Sequence, residues 1–214
     1  DRLKRPLFIL GAVQMVMGVL AIFTLIVYGF TFNGMQYAIK ALAKTEEGYL
    51  FFNIFSHSLA MFVMIPATIC AGMTLPLLTH YLFPNGDGEK AIGLVYAVNT
   101  FGCILGVVAS IQFVMPFWGL RNLVIIGGAL DIIIGFWLFW LGRFSISLSS
   151  RIIYVGGSLL YLVAVIFGVH LDISKMASGV YRTGHLLGKR EEVIYHRDGK
   201  TASIDLVKDP AAIL

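Results

Sequence analysis

Asp131 has the strongest claim to chemistry in this sequence. It stands in Leu130-Asp131-Ile132-Ile133-Ile134, within a long apolar run. An ionisable group surrounded by hydrocarbon is costly, and one found there commonly holds a proton or cation or pairs with a cationic group. A plain hydrogen-bonded contact between helices is the competing explanation. Asn99 and Thr100 form the next polar pair inside an apolar run. They suit interhelical hydrogen bonding or the wall of a pocket between helices. His57 lies on another apolar segment, with His80 further on. Their separation is roughly 34 Å along a helix, so they cannot share one metal. Haem ligation by His57 would need a second histidine from another chain. A hydrogen-bonded polar contact is the simpler account. No metal, haem or other cofactor is therefore expected.

Cys70 and Cys103 both sit in apolar runs, without CxxC or Cys/His spacing. They read as small apolar groups and not as a zinc site or disulfide pair. Glu89 and Lys90 read as a solvated loop pair. His170, His185 and His196 need no special role.

The elements that must carry these residues are apolar. Of the 214 residues 58% are hydrophobic and 13% charged, and the mean hydropathy is +0.84. Soluble domains carry about a quarter charged residues, so lipid is the expected solvent for most of the chain. The expected fold is an all-α transmembrane helical bundle of about five spans with a short C-terminal β-hairpin tail. A crossing needs about 20 apolar residues. Spans are expected at about 6–30, 50–82, 91–115, 122–141 and 152–169, within a helical region 1–170 followed by an extramembrane tail 171–214. Between the first two spans lies a polar segment, Thr31–Gly48, in which Ala38–Ala43 could form a short interfacial helix. The second span is long for one crossing and contains Pro66 and Pro76, where a kink or break is expected. Thr74 belongs to the same break, and a broken helix can expose backbone to a substrate. Gly102 and Gly106 form a GxxxG motif, which predicts close helix packing. Residues 83–90 and 116–121 read as tight connections. Trp118, Trp137 and Trp140 lie near span ends, as interfacial aromatics do. In the tail, residues 192–197 and 201–207 read as strands joined by the turn Asp198-Gly199-Lys200.

The net charge of +4 is dispersed over span ends and tail. That excludes the clustered basic face of a nucleic-acid binder. Arg2, Lys4, Arg5, Lys90, Arg143 and Arg151 fall on one side of a five-span arrangement, and Lys40, Lys44 and Arg121 on the other. The positive-inside rule puts the first set in the cytoplasm. Five crossings then send the tail outside, to the periplasm if the membrane is a bacterial inner membrane. Both chain ends read as cuts within a longer protein.

Two stretches carry a family resemblance. One comprises Pro66–Thr79, Gly93–Gly106 and Pro116–Arg121; the other comprises Ser178–Arg182 and Tyr195–Ile204. Together they resemble the multi-span membrane proteins fused to a spermidine-synthase-like domain, over most of the chain from about Leu50 onward. The resemblance implies a membrane region followed by a β-rich segment and a Rossmann-like aminopropyltransferase domain. It also implies that the chain stops before the glycine-rich loop and the acidic residues of catalysis, so no catalytic residue carries over. The family leads one to expect an amide near Asp131, where this chain has a carboxylate. The expected role is a membrane anchor or subunit of such a protein. The expected partners are the lipid bilayer and other membrane helices, and no nucleic acid. Two other roles remain open at this point: an accessory subunit packed against a larger membrane complex, and a transporter-like module passing a small polar or cationic substrate by Asp131 and Asn99.

Overall fold

The computed structural model describes residues 6–42, 45–82, 88–141, 148–168, 172–188, 191–199 and 202–208. The chain is mostly helical and ends in a two-stranded hairpin. The helices are α1 (Pro6–Ala41), α2 (Glu46–Leu82), α3 (Gly88–Ala109), α4 (Met115–Leu141) and α5 (Leu148–Gly168), followed by the short α6 (Ile173–Ala177) and α7 (Val180–Thr183). The strands β1 (Glu192–Asp198) and β2 (Ser203–Lys208) pair antiparallel. Among the described residues, three helical stretches are long and apolar enough to cross a membrane: Pro6–Ala41, Glu46–Leu82 and Gly88–Leu141. Of the connection expected at 83–90, residues 88–90, with Glu89 and Lys90, form the first turn of α3; residues 83–87, and Arg2, Lys4, Arg5, Lys44, Arg143, His170, Lys200 and Thr201, lie outside the described residues.

The third stretch is 54 residues long, about 80 Å of helix against a hydrocarbon thickness of about 30 Å. It does not run straight. A π-helical turn at Ser110–Val114 leads into a break at Gly119, whose φ of 75° and ψ of 171° lie outside the helical region. Only glycine reaches such a backbone without strain. The chain reverses there: Val95 and Val98 of α3 share a cleft with Ile134 and Leu138 of α4. The tight connection expected at residues 116–121 is thus the point of reversal.

The centre of the bundle is α1 against α4, antiparallel, with α5 beside them. Gly11 faces Gly135, and Gly18 faces Gly128. These glycines recur every seven residues on each helix, so the two backbones approach along one continuous stripe. Ile22, Leu25, Ile125, Ile132 and Val165 fill the adjoining core. Tyr161 of α5 donates its hydroxyl to the Val19 carbonyl at 2.9 Å.

At three places the helices differ from the expected outline. First, α1 does not end near residue 30; it continues to Ala41 and absorbs the segment read as polar. Thr31, Phe32 and Met35 are buried there, with Val180, Met176, Phe52 and Leu186 packed around them. Tertiary cover, invisible in the local sequence, keeps this stretch helical. Second, α2 remains one helix from Glu46 to Leu82, through both Pro66 and Pro76. Each proline removes one bond from a long ladder, which apolar helices tolerate. Its start is fixed by Thr45, whose hydroxyl accepts the Gly48 N–H at 3.2 Å. Glu46 and Glu47 favour the same end through the helix dipole. Third, Gly102 and Gly106 pack against nothing; a Cβ on either would meet no atom within 4 Å among the described residues. The close helix contact belongs to the seven-residue glycine stripe instead.

Candidate functional site

Two sites emerge, one deep in the bundle and one at its end. In the deep site Gln14 of α1 donates from Nε2 to Asp131 Oδ1 at 2.7 Å. The pair falls between the two glycine crossings, so backbone proximity sets the register that joins them. Asp131 lies about 18 Å along α4 from the Gly119 break, well inside an apolar helix long enough to cross a membrane. A carboxylate there needs a donor, and Gln14 supplies one. This is a hydrogen-bonded contact between α1 and α4, and among the described residues no ion pair to Asp131 accompanies it.

Next to that pair a cleft of about 460 Å³ opens between α1, α2, α3 and α4. Gln14, Thr74 and Asn99 are its polar wall; the remaining lining is leucine, isoleucine and valine. The Thr74 hydroxyl donates to the Ala71 carbonyl at 2.7 Å. Asn99 is exposed toward the cleft and has no hydrogen-bond partner among the described residues. Thr100, its neighbour, is turned away and donates to the Tyr96 carbonyl at 2.8 Å. His57 is remote from the cleft lining, exposed, with Nδ1 2.6 Å from the Asn53 carbonyl oxygen. Of the residues singled out in the sequence, the structure therefore brings together Asn99 and Thr74, with Asp131 one hydrogen bond behind Gln14. It leaves Thr100 and His57 apart. Gln14 was visible only as an interruption of an apolar run.

The second site joins the tail to the bundle. Leu120 begins the helix after the Gly119 break, so its N–H lacks an intrahelical acceptor. Asp198 Oδ2, at the end of β1, accepts it at 2.9 Å. The other carboxylate oxygen accepts the Ser203 hydroxyl at 2.7 Å and lies 3.4 Å from His196 Nε2. His196 in turn donates through Nδ1 to Asp205 at 2.5 Å. The strand register produces both contacts directly, because Asp198 pairs with Ser203 and His196 with Asp205. Burial alone would raise the Asp198 carboxyl. The bonds from Leu120 and Ser203 and the adjacent His196 outweigh it and hold the group below the usual carboxylate range.

Two further contacts seat the tail. Val180 is buried against Phe32 and Met35, and Tyr181 donates its hydroxyl to Thr31 at 2.8 Å. Just after the break, Arg121 Nη2 donates to the Ile166 carbonyl near the end of α5 at 2.5 Å. Sequence reasoning missed this docking. The Asp-Gly turn marked a hairpin, but nothing local marked Asp198 as a cap for a residue 78 positions away.

As chemistry, the hairpin network is a positioning device. Ser203 bonds to Asp198 and not to His196, so no hydroxyl–imidazole pair is present for nucleophilic attack. Among the described residues no three metal-ligating side chains converge. The fold and sites together define a helical bundle, with stretches long enough to cross a membrane, that holds a C-terminal hairpin by a side-chain cap. No protein-family model, no curated protein and no solved structure matches the chain.

Proposed function

We propose that this chain is the membrane-embedded anchor of a spermidine-synthase-like protein, crossing the bilayer five times and orienting an extramembrane domain through the docked tail. The observation that carries the reading is the Asp198 cap on Leu120, reinforced by Val180 and Tyr181 on the end of α1. A hairpin alone is marginal in water; here it is tied to the helix start that the Gly119 break creates. Alpha1 is about 54 Å long by its 36 residues, which exceeds the hydrocarbon by roughly 24 Å. Its last turns then stand clear of the lipid and serve as the platform for α6 and α7. The charge distribution supports a tail opposite the first set of basic residues, on the periplasmic face if the membrane is a bacterial inner membrane. The anchor is not itself catalytic; chemistry resides in the synthase-like domain that the hairpin begins.

Limited trypsin digestion in lipid nanodiscs, which leave both faces accessible, tests the docking. Wild-type protein should be cut slowly at Arg197. Asp198→Ala should be cut several-fold faster, with helical content unchanged. Equal rates would remove the support for a tail held against the bundle. An accessory-subunit role draws support from the uncovered Gly102 and Gly106 face of α3; a larger native mass in nanodiscs, lost on Gly102→Leu, would favour it.

A further inference from the structure

We propose that the cleft beside Gln14 and Asn99 binds a neutral amphiphile: a hydrocarbon body with one hydroxyl or amide head group. This goes beyond the anchor role and does not depend on it. The argument begins with Asn99. It lies about 16 Å along α3 from Gly88, near half the thickness of a bilayer core. Its carboxamide has no partner among the described residues. An amide left unsatisfied in hydrocarbon costs several kcal/mol, so a complementary group in the cleft is strongly favoured.

The walls define that group. Four helices contribute, and the lining away from the three polar residues is aliphatic, including Leu78, Val95 and Leu138. A volume of about 460 Å³ is within the range of small-ligand sites. Among the described residues no charged side chain lines it. Asp131, the nearest carboxylate, is not part of the lining and is engaged by Gln14. A cationic head would have to reach past Gln14 to a carboxylate outside the lining, and an anionic head would meet no counter-charge. A hydroxyl or amide can both donate to and accept from the Asn99 carboxamide. Thr74 adds an acceptor lone pair, since its proton is already given to Ala71.

The test uses the full chain in phosphatidylcholine nanodiscs and a photoreactive, alkyne-tagged C16 alcohol as probe. Saturable labelling is expected on the peptides that carry residues 10–14 and 94–99. Excess farnesol, a neutral isoprenoid alcohol, should compete; hexadecane should not. Asn99→Leu should weaken labelling roughly fivefold, the effect of one hydrogen bond. Val98→Trp, which fills the cleft, should abolish it. Thr100→Ala, outside the cleft, should change nothing. Labelling that does not saturate, or equal competition by hexadecane, would overturn the proposal. Stronger competition by hexadecylamine than by farnesol would overturn it in favour of a cation site at Asp131. Asn99 makes no contact that folding requires, so a folded Asn99→Leu protein with undiminished labelling also overturns it.

Discussion

Placing valine at Gly128 would strike the centre of the bundle. A Cβ there would stand 2.8 Å from the Gly18 carbonyl oxygen and 2.5 Å from Ile22 Cγ1. Ordinary carbon–oxygen contacts begin near 3.3 Å, so the α1 and α4 backbones must separate by roughly half an ångström. Ile22 is wholly buried and has no free volume into which to turn. Two effects compete. Leaving glycine gains a few tenths of a kcal/mol of helix propensity. Overpacking a filled contact costs about 1–3 kcal/mol. The steric effect wins, and the net loss should be about 2 kcal/mol. Separation would also strain the Gln14–Asp131 bond, which lies between the two glycine crossings. On the scaling of soluble domains this size, the midpoint of thermal unfolding should fall by roughly 4–8 °C. The control is Gly102→Val, at a glycine with nothing within 4 Å; it should be nearly neutral. Near-UV circular dichroism of both variants in the same detergent reads the difference. Equal midpoints, or a larger drop for Gly102→Val, would refute the glycine-stripe account.

Three other outcomes follow from the same geometry. Asp131→Asn keeps an acceptor for Gln14 and should unfold within about a degree of wild type, whereas Asp131→Leu should lose about 0.6–1.7 kcal/mol, the range for interhelical hydrogen bonds in membranes; equal stability of the two would show that the bond contributes nothing. The depressed Asp198 carboxyl makes hairpin docking fully present above the ordinary carboxylate value, near 4, and lost only as pH falls through its lower folded value. Fluorescence of Trp118, with Trp137 and Trp140 replaced by Phe, should therefore stay flat from pH 8 to about 5 and change only in stronger acid; a transition near neutrality would contradict the assignment. Gly119→Ala should lose about 1–2 kcal/mol, because φ is positive there and a Cβ would lie 3.3 Å from Asp198 Oδ2; hydrogen exchange at the Leu120 amide should rise, and unchanged protection would count against the cap.

How far the sequence disclosed this molecule depends on the range of the interaction concerned. The apolar stretches were legible because crossing length is a local property, and so was the hairpin, through Asp198-Gly199 between two β-prone runs. The end of α1 was not, since residues 31–39 are held by Val180 and Met176, far away in the chain. The GxxxG motif drew attention to Gly102 and Gly106, yet the working crossing uses Gly11, Gly18, Gly128 and Gly135. Seven-residue spacing on two helices was present in the sequence, but only the antiparallel register shows that the two sets meet. Asp131 and Asn99 were conspicuous as polar groups in apolar surroundings. Their different situations, one satisfied by Gln14 and one open to a cleft, arise from a pairing 117 residues apart.

The most direct trial of the account is its topology, read by cysteine accessibility in sealed, right-side-out vesicles. With Cys70 and Cys103 replaced by alanine, single cysteines at Glu47, Glu89 and Lys208 would be exposed to a membrane-impermeant maleimide. The proposed five crossings would put Glu47 and Lys208 on one side and Glu89 on the other, so the first two should react from outside and the third only after the vesicles are opened. Reaction of all three from the same side, or recovery of the protein in the aqueous fraction without detergent, would contradict it.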